Sequence, residues 1–440
     1  MSKRRSPGVP AFPFAFLGGD VAPADAVVAE ELPGATATAL RQLLHEVRIW
    51  LSAPGPERKV IGEAPETAPL PHGLAHRVAR AFELLREEPD ADTEGAIALA
   101  LAWAANWMEA EGRALRSAVV FYQTTLLILP ASVPVAYHIG RLLRRLAMYE
   151  AAEAWLLHSI EKAATAGDWQ HHALALSGMG NLMRERGAFP DAIRFHRLAL
   201  KSAREHGVRR LEGDASYDLA VMCFERGELA EGMEHARGAM KAYGPGHGQL
   251  VRMANDLAWI WMHLHGEAGL SLMLFQAIEP RVQNPPFRAV LLANIARAAA
   301  EIGEEDIYEA AWLEAYGYMR KQDTEDGHAA ALGQMALASV ASMHLERARQ
   351  AARLSLDIAQ RRQESRLVHV AEKILAAIEE GLPEPRVMKE LFPAFELVET
   401  EADATESERS EDFVSALGQA LRAREDGGPE SPVRALVRGR

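Results

Sequence analysis

The stretch GNLMRERGAFPDAIRFHRLALKSA, Gly180 to Ala203, decides how the chain is read. It holds two amphipathic runs with helical spacing, separated by the turn signal Arg-Gly-Ala-Phe-Pro. Gly187 suits the left-handed residue that ends a helix, and Pro190 suits the first turn of the next one. Small residues at Gly180, Ala192 and Ala199 stand where two helices in a tight hairpin would touch.

Working outward, the same arrangement recurs. Gly140, Gly180, Ala220, Ala258, Ala296 and Ala336 are spaced 40, 40, 38, 38 and 40 residues apart, each inside an amphipathic pattern. Counting Asn106 as an earlier anchor, the nineteenth residue after each anchor is Thr125, Ser159, Ala199, Ala239, Ala277, Ala315 or Ser355, all small. The twelfth is Ala118, Ala152, Ala192, Gly232, Leu270, Tyr308 or Ala348, small at five of seven. Turn glycines follow the anchors at Gly187, Gly227, Gly266 and Gly303. A fixed period in the 20 to 50 range predicts stacked supersecondary units, and close helix crossings need small side chains.

On these residues the chain resembles the tetratricopeptide repeat family. Gly180, Gly187, Ala192 and Ala199 fall at the family's small positions, and Pro130, after TTLLIL, matches its repeat-ending proline. The repeats are about 40 residues rather than 34, and the usual early tryptophan is missing. Such long repeats are similar to those of kinesin light chains and bacterial peptide-pheromone receptors. The resemblance covers roughly residues 94 to 357. It implies an all-α, right-handed superhelical solenoid of antiparallel helix pairs that binds a protein or peptide and performs no catalysis.

The spacing predicts seven helix pairs from about Thr93 to Gln360. The expected divisions are an N-terminal Pro/Gly-rich strap with one helix (1–73), the solenoid with a capping helix (74–380), an acidic linker (381–412) and a short amphipathic segment (413–440). The strap's AFPFAFL, Ala11 to Leu17, is expected to pack along the array, and its helix to run from about Thr38 to Leu51. The cap is LVHVAEKILAAIEE. From Glu396 to Asp412 eight acids face one base, Arg409, and so acidic a segment should not order itself. Beyond it, Phe413, Leu417 and Leu421 share one helical face; that helix either docks on the parent array or offers itself to a partner.

Composition excludes several function classes. A net charge of −13 argues against nucleic-acid or anionic-lipid binding, and no apolar run is long enough to span a membrane. One cysteine, Cys223, rules out an internal disulfide framework and fits the cytoplasm; core packing is the expected role of its thiol. The basic, apolar start of the chain imitates a signal peptide, but Pro7, Pro10, Pro13 and Asp20 break it. No GxxxxGK[ST], GxSxG or HExxH occurs, so neither catalytic residues nor a cofactor is expected. The histidines group only in pairs, such as His72 with His76, and no metal site is expected.

The resemblance also implies which residues line the inner groove. Three before, one after and four after each anchor fall Tyr137, Arg141 and Arg144; Ser177, Asn181 and Arg184; Tyr217, Val221 and Phe224; Asn255, Trp259 and Met262; and Ala293, Arg297 and Ala300. Asn181 and Asn255 are similar to the groove asparagines of peptide receptors in the family. Arginines answer carboxylates and Asn answers extended backbone, so the expected partner is a protein segment with acidic and apolar features. Each arginine can equally be an ordinary solvated charge, and Tyr217 and Trp259 can equally be internal packing. Scaffold or adaptor is the leading function; a ligand- or peptide-sensing receptor, or a regulatory subunit of an enzyme, is the alternative.

Overall fold

The structure, a computed structural model, describes residues 24–32, 34–52, 70, 72–87, 90–110, 114–226, 228–264, 266–320, 327–361, 365–381 and 404–422. All regular structure among these residues is helical. The chain divides into two compact units, Met1–Ala215 and Ser216–Arg440. The phenylalanines of AFPFAFL and most of the Pro-rich link lie outside the described residues.

The first unit opens with α1 (Ala24–Glu31), α2 (Gly34–Ser52) and α3 (His72–Leu84). Pairs then follow: α4 (Ala91–Ala110) with α5 (Leu115–Ile128), α6 (Val133–Arg145) with α7 (Tyr149–Ala166), and α8 (Trp169–Glu185) with α9 (Phe189–Glu205). The next helix, α10 (Arg209–Glu225), contains the division between the units.

The second unit continues with α11 (Leu229–Tyr243), α12 (Gln249–Leu264) paired with α13 (Ala268–Ile278), α14 (Pro285–Glu301) with α15 (Glu305–Arg320), and α16 (His328–Ala341) with α17 (Leu345–Arg361). A cap, α18 (Ser365–Glu380), lies against α17 and α16. Pairs joined by turns this short must be antiparallel, and α4 to α17 make the seven expected pairs.

Where the small residues were expected to touch, they do. A Cβ on Gly140 would stand 2.9 Å from Leu156 of α7, one on Gly180 2.6 Å from the His196 ring of α9, and one on Gly232 2.8 Å from Phe224 of α10. Ala199, Ala239 and Ala315 are fully buried. The turns repeat as well. The N–H of Ala188 donates to the Met183 carbonyl at 2.8 Å, that of Glu304 to Ala299 at 2.9 Å and that of His344 to Ser339 at 2.8 Å. Such bonds close a helix end only around a left-handed residue. Gly187 and Gly303 supply it, and at the equivalent positions Ala147 (φ 57°) and Met343 (φ 60°) are forced into the same conformation.

The two ends hold more order than composition suggests. In the N-terminal segment, Glu31 of α1 caps α5: its carboxylate accepts from the backbone N–H groups of Arg116 (3.2 Å) and Ser117 (2.7 Å) and from the Ser117 hydroxyl (2.7 Å). A carboxylate there answers otherwise unpaired donors and the positive helix end. At the other end, α19 (Ala404–Arg422) begins inside the acid-rich stretch and docks on α11, α12 and α13. Phe413, Val414, Leu417 and Leu421 are buried, Phe413 meets Trp261 edge-on at 6.3 Å, and the Gly246 N–H donates to the Ala420 carbonyl at 2.9 Å. Apolar burial by this one face supplies the free energy that the acidic part lacks. Of the two fates open to this helix, docking on the parent array is the one observed.

Candidate partner-binding surface

In the first unit, α6 and α8 pack side by side and carry the predicted stripe on neighbouring faces. Tyr137, Arg141, Arg144, Ser177, Asn181 and Arg184 are all part-exposed, neither buried in the pair interface nor fully solvated. Pro134 near the start of α6 and the Asp168 carboxylate, which caps α8 by accepting from the His171 N–H at 3.1 Å, fix where each helix begins.

The basic members are not bare. Arg141 Nη2 donates to Glu109 of α4 at 2.6 Å, Arg145 Nη1 reaches the other oxygen of Glu109 at 2.7 Å, and Arg144 pairs with Glu185. Arg141 also lies 3.2 Å from His138 Nδ1, and the His138 ring stacks on Tyr122 at 5.2 Å. Burial, then the Arg141 charge, pushes the His138 imidazole down to about 4, so it is neutral at physiological pH and accepts from Arg141. Tyr137 meets His171 edge-on at 6.3 Å, and burial raises its phenol. The surface is therefore a lattice of guanidinium, carboxylate, imidazole and phenol groups rather than a block of positive charge.

Glu109, Glu185 and His138 belong to this surface, with Tyr122 buried beneath the His138 ring, and were missed in the sequence. A signal existed: Glu109 lies three residues after the Asn106 anchor, one repeat before Arg141. Complementary charges on consecutive first helices of the pairs would have pointed to the ion pairs.

The equivalent residues of the second unit are placed differently. Tyr217 is buried, its hydroxyl donates to the Asp256 carboxylate, and the Arg252 guanidinium lies 5.6 Å above its ring. Burial and the Asp256 charge raise the Tyr217 phenol well above its ordinary range. Asn255 Nδ2 donates to Asp256 Oδ1 at 3.1 Å, while Asn255 Oδ1 is buried without a hydrogen-bond partner. Trp259 is half-buried against the core. Arg297 is 1% exposed and bonded to Glu301 (2.8 Å) and Gln334 (3.0 Å), and Ala293 and Ala300 beside it are buried too. Every residue from Leu291 to Ala300 is buried, so α14 presents no open stripe. The structure thus brings Tyr137, Arg141, Arg144, Asn181 and Arg184 onto one accessible surface and leaves Tyr217 and Arg297 inside.

Among the described residues, no helix is long and apolar enough to cross a membrane. No protein-family model matches the chain, and no curated protein sequence does. Comparison with solved structures finds tetratricopeptide domains. The TPR2AB domain of yeast Sti1 in its pHSP90 complex is 13% identical and covers 65% of this chain and 99% of that one, with a TM-score of 0.25. The TPR domain of P58(IPK) is 14% identical and covers 80% of this chain and 100% of that one, with a TM-score of 0.24. Scores of this size carry no argument, and the fold assignment stands on the chain's own helix pairs, their period and their turns.

Proposed function

We propose that the chain is a non-catalytic interaction scaffold that holds a segment of another protein against the α6–α8 face of its first unit. The observation that supports this is the part-exposed stripe of Tyr137, Arg141, Arg144, Asn181 and Arg184, two helices wide, in a chain where the corresponding Tyr217 and the whole stripe of α14 are buried. Arginines already braced by carboxylates are held in fixed rotamers, so a partner carboxylate finds donors whose ordering entropy has been lost in advance. Tyr137 supplies an apolar face beside them. The matching ligand is a peptide or loop with acidic and apolar side chains, and the Asn181 amide can answer its backbone. The single, buried Cys223, which has no second cysteine in the sequence to form a disulfide with, is compatible with a reducing, cytoplasmic setting.

The double variant Arg141→Ala/Arg184→Ala tests the proposal. Arg145 keeps Glu109 paired, so folding should be nearly unchanged. Capture from a lysate of the native cell, quantified by mass spectrometry at two salt concentrations, should show one partner lost by about tenfold or more. This is the expected worth of a charge-assisted hydrogen bond in a partly desolvated site. Retention of every partner at full strength by a folded double variant would overturn it.

A further inference from the structure

The turn between α10 and α11 gathers three donor groups that the interaction surface does not use. Cys223 lies in the last turn of α10, Glu231 in the first turn of α11 and His235 one turn later, and one donor atom from each lies within 4.8 Å of the others. His235 Nε2 and Glu231 Oε1 are 3.6 Å apart. This convergence follows from the fold. The Cys223 carbonyl accepts from the N–H groups of Arg226 (3.1 Å) and Glu228 (2.9 Å), which closes the turn. Gly232 lets α11 approach so closely that a Cβ there would stand 2.8 Å from Phe224, the neighbour of Cys223. Glu231 and His235 are four apart and share a helix face.

We propose that Cys223, Glu231 and His235 bind one divalent cation of the thiolate-accepting class, with Zn2+ as the best fit. Thiolate, imidazole and carboxylate are the zinc donor set, and three protein ligands with solvent in the fourth place make a complete tetrahedral site. Metal–donor distances of about 2.0–2.3 Å put neighbouring donors roughly 3.3–3.8 Å apart, which these side chains reach by small rotamer changes. Cys223 is buried, whereas Glu231 and His235 are 45% and 21% exposed, so the cation has an entry path and the sulfur is shielded. On binding, the Cys223 thiol gives its proton to solvent. The resulting thiolate and the Glu231 carboxylate then balance the two charges of the ion. The bound ion would staple α10 to α11.

A second group, Glu305, Glu309 and His344, is similarly close but more exposed, lacks sulfur, and has the Arg347 guanidinium 2.6 Å from Glu309. A cation there would face that positive charge, so this group serves as the control.

The full chain, stripped with chelator, is titrated with Co2+ and then with Zn2+. Cys223 is the only cysteine in the chain, so a near-ultraviolet thiolate-to-cobalt band can come only from it. We expect one Co2+ per chain with that band, its displacement by Zn2+, and loss of the band in Cys223→Ser. His235→Gln and Glu231→Gln, on the accessible side of the site, should bind at least about tenfold more weakly, and His344→Gln should bind like the parent. Absence of the band in the unmodified chain would overturn the proposal, as would equal affinity in parent, His235→Gln and Glu231→Gln. If Cys223→Ser does not fold, the latter two variants decide alone.

Discussion

The first and second units carry the same repeat and the same stripe positions, yet α6 and α8 leave theirs open while α14 buries its own. The difference lies in side-chain size. On α14, alanines at 289, 293, 296, 298, 299 and 300 let α12, α13, α15 and α16 approach from several sides. On α6 and α8 the same register carries Tyr137, Arg144 and Arg184 where α14 has Ala293 and Ala300, and these larger side chains hold neighbours away. Arg141 and Arg297 share a position, and only Arg297, bonded to Glu301 and Gln334, is covered. A repeat period therefore fixes which residues share a face, but neighbouring side chains decide whether that face is a surface or a seam.

Breaking the buried charge should produce the largest contrast. Arg297→Ala leaves the mostly buried Glu301 without its guanidinium, and should cost about 3–5 kcal/mol by urea unfolding. Arg141→Ala should cost about 1 kcal/mol or less, since its pair is part-exposed and Glu109 keeps Arg145. Equal costs would mean that the two stripes are not differently buried.

Removing the terminal helix's anchor comes next. Leu417→Ala should destabilise by about 2–5 kcal/mol, the range for deleting a buried leucine. Hydrogen exchange read per peptide should show the loss of protection in α11 to α13 and none in α4 to α8. Unchanged protection across α11 to α13 would separate α19 from the second unit.

A smaller effect tests the register shared by both units. Gly180→Ala should cost about 1–3 kcal/mol, because the added methyl meets the buried His196 ring, which has little room to withdraw. Stability equal to the parent in a denaturant melt would show that α8 and α9 are not held at that distance.

Most of the pairing was legible in the sequence because close crossings demand small residues at fixed intervals, and those intervals survive replacement elsewhere. Leu270 and Tyr308 broke the pattern without breaking the pairing. Tyr308 is buried, with its hydroxyl 3.1 Å from the Ser339 hydroxyl, so a large residue there has found a specific partner. Ala147 and Met343 hid their turns for the opposite reason. Nothing in an alanine or methionine announces a positive φ, and only the spacing from the anchors marks the place. The site was less legible than the fold. Tyr217 and Arg297 have the right residue types at the right spacing, but whether they face solvent depends on helices distant in sequence. The helix at 404–422 escaped notice over its acidic half because its stability comes from the docked half.

The smallest effect refines the turns. Ala147→Gly and Met343→Gly should each raise stability by about 0.5–1 kcal/mol, since glycine carries no steric penalty at a left-handed position. The gain should appear in the first unit for one and the second for the other. A loss in either variant would place that turn in a different conformation.

The α6–α8 surface is tested most directly by photo-crosslinking in the native cell, with a benzophenone side chain placed at Asn181 in one variant and at the half-buried Trp259 of α12 in another. A discrete protein adduct is expected from position 181 that disappears when Arg141→Ala and Arg184→Ala are added, with little or none from position 259. Adducts from position 259 with none from 181 would contradict partner docking on the α6–α8 surface.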